Sequence, residues 1–294
     1  MKLWKYFAIL NAGLLLSLSC PGQSGTKKQA SPSSKGAATE GSTQPEAGLV
    51  QTPKNIDHRS FDDLLKKYVD EKGLVNYAAW KKSAADLKAL RDYTEKFSAR
   101  EPFAAGNERV ASLINAYNAL TLRWILENYP TDSIQELDHS FKGKRNVVGG
   151  QTVSVDDIEH QTLRPLLGYR AHAVLVCAAQ SCPPLSRDAF RADVLDKQLD
   201  EAMRRWLARP DLNQFDPAKK TAKVSSIFKW FKDDFGGKGE GVQAVLGKYA
   251  PPQYQSFLRS PDVKIDYVDY HWGLNDQSGH GQDYKRSWAK KLFH

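Results

Sequence analysis

The chain has 294 residues, of which 41% are apolar, and a formal net charge of +8. Half of that charge lies in residues 1–54, and the other 36 basic residues are interspersed with 32 acidic ones. Such a balance lacks the basic face or stripe that binds nucleic acid, so we expect no nucleic-acid partner.

Residues 1–20 have the layout of an export signal. Two lysines precede an apolar run over residues 6–18, which is shorter than the ~20 apolar residues that span a bilayer. The run leads to Cys20, and residues 16–20 resemble a bacterial lipobox, although Ser17 stands where that motif usually has Leu. We predict an exported cell-envelope protein, periplasmic or surface-facing and lipid-anchored to a membrane through Cys20. An ordinary secretory signal with an incidental cysteine is the alternative.

Residues 21–54 are rich in Ser, Gly, Pro, Ala, Gln and Lys and lack aromatic residues. This composition buries too little apolar surface to offset the entropy of ordering, so it predicts a disordered tether. Residues 55–294 form the predicted globular domain.

The apolar periodicity of that domain predicts more helix than strand. The clearest helix covers about residues 108–127, and others are predicted near 60–73, 80–97, 157–168 and 188–208 and from 226 onward. Short strands are predicted at 152–155, 171–177, 222–224 and 263–268, and a short strand or extended turn at 73–77. The fold class is therefore mixed, helix-rich α/β (α+β), a single compact domain with a small buried sheet surrounded by helices.

Polar side chains interrupt two of the predicted helices. Asn115, Tyr117 and Asn118 lie in the middle of the clearest one, where they either line a site or lock a neighbouring loop. His160 and Arg164 lie one turn apart on the helix that we expect Asp156 to cap, with Glu159 beside them. An exposed charged face is the alternative for these three.

The most informative stretch runs from His172 to Pro184. A buried strand ending near Cys177 would place Ser181 and Cys182 where α/β proteins gather catalytic groups. Alternation puts His172 and Cys177 on opposite faces of that strand, and Cys182 on the returning turn could approach either one. The following prolines could open a helix whose dipole lowers the pKa of the Cys182 thiol.

The number of cysteines leaves several states of Cys177 and Cys182 open. With Cys20 lipidated, Cys177 and Cys182 form an even pair in an oxidising compartment, so a disulfide is one reading. A nucleophilic Cys182 is another, and two inert thiols are a third. The spacing is not that of a compact zinc pair, so we predict no metal and no cofactor.

These segments resemble the domain of unknown function 547 family, found in bacterial envelope proteins and, with a leucine zipper, in plants. The matching stretches are 115–121, 154–160 with 163–164, 172–184, 226–231 and 272–275, within about residues 57–276. The sequence departs from the family at His271, where members often have Asp. The resemblance implies a domain and a clustered site, but no reaction, because no activity is established for the family.

Two functions from different classes remain. The first is a cysteine-nucleophile hydrolase or acyltransferase acting on a peptide or cell-envelope substrate, with Cys182 as nucleophile, His172 as general base and Glu159 or Asn115 orienting it. Substrate would be bound by seven residues: Tyr117, Asn118, His160, Arg164, Ser181, Trp272 and Asn275. The second is a non-catalytic envelope binding module, in which the polar cluster is structural or recognises a ligand.

Overall fold

The computed structural model describes residues 48–236 and 241–285. The predicted signal, its lipidation cysteine Cys20 and most of the predicted tether lie outside them. The helices are α1 (Arg59–Tyr68), α2 (Tyr77–Lys82), α3 (Ala84–Glu95), α4 (Gly106–Asn128), α5 (Val155–Asp157), α6 (Arg164–Leu167), α7 (Leu195–Leu207), α8 (Ile227–Trp230), α9 (Lys232–Gly236), α10 (Gly241–Tyr249) and α11 (Pro252–Leu258).

Shorter helical pieces link these elements. A π-helical stretch, Ile158–Leu163, joins α5 to α6, and 3-10 turns occupy Lys96–Ser98, Ile134–Glu136, Gly168–Ala173 and Ala192–Val194. In the described residues no helix is long and apolar enough to cross a membrane.

The strands form two small sheets. They are β1 (Asn146–Val148), β2 (Gln151–Val153), β3 (Gln214–Asp216), β4 (Thr221–Val224) and β5 (Lys264–Tyr267). β1 and β2 make an antiparallel hairpin. β4 pairs antiparallel with β3 and parallel with β5. The prediction of a helix-rich mixed α/β domain is confirmed.

Helix α4 is the centre of the core. Its residues 110–122 are all buried, polar ones included, which is the mark of a helix surrounded by protein on every side. Helix α3 packs beside it, and α1 packs on α3, where Phe61 and Tyr93 stack at 4.8 Å. The core also reaches into the predicted tether, because residues 50–52 are buried and the Val50 N–H donates to Thr162 Oγ1 at 2.8 Å.

The chain departs from its predicted elements at residues 171–177, which form no strand. Residues 168–173 wind as a 3-10 turn and residues 174–177 run irregularly. A continuous apolar run indicates a buried segment, and residues 171–176 are indeed buried. A buried segment does not have to pair with a neighbouring strand. Two more predictions were wrong: Ser154, with Asp157, caps the helix assigned to Asp156, and no helix follows Pro183 directly.

Candidate functional site

Two amides on α4 hold the loops that pass it. The Asn118 side chain donates to the Val174 carbonyl at 2.8 Å and accepts from the Val176 N–H at 3.0 Å. Asn115 makes the same pair of bonds, both 2.8 Å, with the N–H and carbonyl of Phe190. Each side-chain amide therefore satisfies backbone groups of a buried loop, as a neighbouring strand would do in a sheet. This is one of the two roles predicted for these asparagines.

The turn after residue 177 brings the two cysteines into contact. Cys177 Sγ and Cys182 Sγ lie 2.7 Å apart, and the Cys177 N–H donates to Cys182 Sγ at 3.0 Å. Ala178 makes the turn with a left-handed φ of 59°. Cys182 is 4% exposed, whereas Cys177 is partly exposed. Cys182 could approach either His172 or Cys177, and in the structure it contacts Cys177.

The C-terminal segment clamps this turn from outside. Gln180 and Ser181 donate backbone N–H groups to the Gly273 and His271 carbonyls, and Ser181 Oγ accepts from the His271 N–H at 2.9 Å. Asn275 donates its N–H to the Ala178 carbonyl, and its side chain accepts from Tyr77 at 2.8 Å. Ser181 and Asn275 thus fix the cysteine turn.

The surroundings of the two thiols shift their pKa values in opposite directions. Burial raises the pKa of Cys182, but hydrogen bonds from the Cys177 thiol, the Tyr270 hydroxyl and the Cys177 N–H outweigh it, so the pKa lies below its ordinary value. The hydrogen bond to Cys182 and burial raise the pKa of Cys177 well above its ordinary value. The first proton to leave the pair therefore leaves its charge on Cys182.

An aromatic patch lies beside the thiols. The Tyr270 hydroxyl is 3.2 Å from Cys177 Sγ, and its ring is 4.7 Å from the Trp272 ring and 4.8 Å from the Trp230 ring. Trp230 is 49% exposed, which is unusual for so large an apolar side chain. Tyr270 therefore links the partly exposed Cys177 to the exposed Trp230.

The buried Tyr117 lies near the pair and is hydrogen-bonded to Glu159. The Tyr117 hydroxyl donates to Glu159 Oε2 at 3.1 Å and interacts electrostatically with both thiols. Burial, helped by the Glu159 charge, raises the pKa of Tyr117 well above its ordinary value. Burial also raises the pKa of Glu159, although His160, Tyr117 and Arg164 act in the opposite direction.

The predicted base, His172, belongs to a different cluster. Its Nε2 lies 2.6 Å from Asp234 Oδ2, and Arg164 binds the same carboxylate with two bonds of 2.7 and 3.1 Å. His172 is 6% exposed and stacks 4.3 Å from Phe231. Burial is the main cause that lowers the pKa of His172 to about 4, so the imidazole is neutral at neutral pH. His160 extends the cluster outward, with Nδ1 at 2.5 Å from Arg164 Nη1.

The structure thus divides the predicted site into parts. Among the residues described, neither His172 nor His160 hydrogen-bonds to Cys182, and the carboxylate on His172 comes from Asp234 rather than Glu159. Asp234 was missed from the sequence. Its signal was the spacing on α9, which places Asp234 three residues after Phe231 and one before buried Phe235.

No group of three or more His, Cys, Asp or Glu side chains that could hold a metal ion occurs within residues 48–236 and 241–285.

Comparison with known proteins adds one finding. Residues 103–207 match the family model DUF547. Its description is a protein of unknown function. The match supports the resemblance to that family from the start of α4 to the end of α7, which includes both cysteines and His172. It does not extend to Asp234 or to the aromatic patch. No curated protein and no solved structure matches the chain.

Proposed function

We propose that the protein is a thiol–disulfide exchange protein whose working group is the Cys177–Cys182 pair. The observation that carries this proposal is the 2.7 Å contact between the two sulfurs, with Cys182 Sγ accepting from the Cys177 N–H. Two thiols in contact can interconvert with a disulfide after a small movement. A cysteine protease-like dyad would instead need a histidine at hydrogen-bond distance from the sulfur.

The exchange follows from the different exposure and acidity of the two sulfurs. In the oxidised protein, a thiolate of the substrate attacks the sulfur of Cys177, the more exposed of the two residues. The Cys177–Cys182 bond breaks and Cys182 leaves as the thiolate that the Cys177 N–H and Tyr270 stabilise, since a thiol of lower pKa leaves faster. A second substrate thiolate then attacks the mixed disulfide. The substrate gains a disulfide, the protein takes up the two electrons as two thiols, and a small-molecule disulfide reoxidises it.

The proposed location agrees with this chemistry. We propose that the protein is exported and anchored to a cell-envelope membrane through a lipid on Cys20, as residues 1–20 predict. Disulfides persist in such compartments and are rare in the cytosol. The substrate class is then a cysteine-containing peptide or envelope protein, which would contact the exposed Trp230 next to Tyr270.

The test uses the full chain carrying Cys20→Ser, so that only two thiols remain. After oxidation we expect a mass lower by two hydrogens, which reduction restores. A peptide thiol mixed with oxidant should be trapped as a stable mixed disulfide on Cys177 in the Cys182→Ser variant, because the resolving sulfur is absent. The matched Cys177→Ser variant should trap much less, because Cys182 is buried. Equal trapping, or two thiols that never pair, would refute the proposal.

A cysteine hydrolase or acyltransferase is the second candidate, favoured by the lowered pKa of Cys182. Tyr270 and the Cys177 N–H would stabilise its thiolate in place of the predicted His172. The two candidates differ in their need for Cys177: ester or thioester hydrolysis requires Cys182 alone, whereas exchange requires both. Hydrolysis that survives Cys177→Ser and disappears in Cys182→Ser would select the hydrolase. Inert thiols in every assay would select the non-catalytic binding module.

A further inference from the structure

A cleft of about 450 Å³ lies apart from the thiol pair. It opens between the start of α1, the loop at residues 186–191 and one face of α7. That volume is within the range of ligand pockets, about 300–1,000 Å³. Its lining includes neither Cys177, Cys182 and His172 nor the aromatic patch.

Arg205 is the distinctive side chain of this cleft. It is partly buried on α7, and its Nη2 donates to the Leu185 carbonyl at 3.1 Å. In the part of the chain that the structure describes, Arg205 has no ion pair within 4 Å, although the charges of Asp188 and Glu201 act on it from farther away. Arg59, Lys66 and Arg191 along the same cleft each hold an Asp carboxylate. A guanidinium with free N–H groups in a partly desolvated cleft is suited to a carboxylate, which it can bind with two parallel bonds.

Carboxylates stand on the same cleft. Asp188 and Glu201 have side chains that are 65% and 54% exposed, and their nearest lysine partners are at 3.5 and 3.8 Å. Such long exposed pairs contribute little and leave both acids able to take another cation. They also repel a multiply charged anion such as phosphate.

The floor of the cleft is preorganised. Ala189 donates its N–H to Asp62 Oδ1 at 2.8 Å, and its carbonyl accepts from Gln198 at 2.9 Å. The next residue, Phe190, is held through both its N–H and its carbonyl by Asn115. Asn115 therefore shapes this cleft. A binding surface fixed in this way loses little entropy when it takes a ligand.

We propose that this cleft binds a small zwitterion, a free amino acid or short peptide, with its carboxylate on Arg205 and its ammonium group facing Asp188 and Glu201. The cleft carries a cation for the ligand's carboxylate and carboxylates for its ammonium group, and its volume holds a few residues. The proposal is independent of the thiol chemistry.

The test is calorimetric titration of the full chain with glycylglycine, N-acetylglycylglycine and inorganic phosphate. We expect saturable binding of glycylglycine, weaker binding of the acetylated peptide, which lacks the ammonium group, and the weakest binding of phosphate. Arg205→Gln should weaken glycylglycine at least tenfold. Arg204→Gln is the matched control, because it makes the same change of charge at the neighbouring α7 residue, which does not line the cleft, and should alter affinity less than twofold.

Arg205→Lys keeps the charge and loses the planar fork, so it should fold and still weaken glycylglycine. Thermal melting of each variant separates lost binding from lost folding. Three results would overturn the proposal: no saturable binding of glycylglycine to the wild type, phosphate binding as tightly as glycylglycine, or unchanged glycylglycine affinity in folded Arg205→Gln and Arg205→Lys.

Discussion

Replacing Asn118 with Ala tests whether one amide holds the segment that leads to the cysteines. The substitution removes the partners of two buried backbone groups, the Val174 carbonyl and the Val176 N–H. Each unsatisfied buried group costs about 1–3 kcal/mol, so we expect the free energy of unfolding to fall by about 2–6 kcal/mol. That loss is a large part of the about 5–15 kcal/mol that stabilises a typical domain.

The assay is urea unfolding followed by tryptophan fluorescence and circular dichroism, with both probes required to give one transition. Asn128→Ala is the control: that side chain, at the end of α4, donates to the Trp124 carbonyl at 2.8 Å and is only partly buried. We expect it to cost less than about 1 kcal/mol. If Asn118→Ala cost no more than the control, the amide would not be what satisfies this loop.

Two further changes probe the same region. Because the pKa of His172 is about 4 in the fold, against an ordinary value of 6.5, the unfolded chain takes up a proton between those pH values that the folded chain does not. Stability should therefore fall as pH drops from about 6.5 to about 4, by on the order of 3 kcal/mol for this residue. His172→Asn should reduce the loss of unfolding free energy measured between pH 7 and 4.5. A remaining loss is expected from His58, whose pKa is also lowered to about 4, mainly by burial. An unchanged loss would contradict the assignment of this pH dependence to His172. Gly73→Ala should lower the unfolding free energy by more than about 1 kcal/mol, since its φ is +79° and a Cβ would lie 2.5 Å from the Leu185 N; an unchanged melting temperature would disprove this clash.

The sequence predicted correctly those elements in which the periodic pattern of polar and apolar residues matches the regular backbone hydrogen bonding. Helix α4 repeats its apolar residues at helical spacing, and β4 and β5 are short strands flanked by polar turns, so all three lie where the pattern placed them. Residues 171–177 show the limit. Their apolar side chains are buried, but their backbone partners come from α4 rather than from a strand, and side-chain partners distant in sequence leave no periodic signal.

The candidate site was predictable in its residue types and less so in its pairing. The two cysteines are in contact, and the Tyr117 hydroxyl donates to Glu159, but their shared role in a site stays a prediction. The histidine was assigned to Cys182 because catalytic cysteines commonly use one. In the structure, His172 is bonded to Asp234 instead. That carboxylate lies far along the chain and reaches the histidine only because α9 packs against the 3-10 turn at Gly168–Ala173.

The irregular path of residues 174–182 is itself the condition for the proposed chemistry. In a strand, Cys177 and Cys182 would be five residues apart along an extended chain, with side chains on opposite faces and about 16 Å between their Cα atoms. The left-handed turn at Ala178 reverses the chain and brings the sulfurs to 2.7 Å. Asn118 holds the residues before this turn, and residues 271–275 hold those within it. We expect a backbone restrained at both ends to keep the two sulfurs close in both redox states, so that the proposed exchange would not require refolding of the turn.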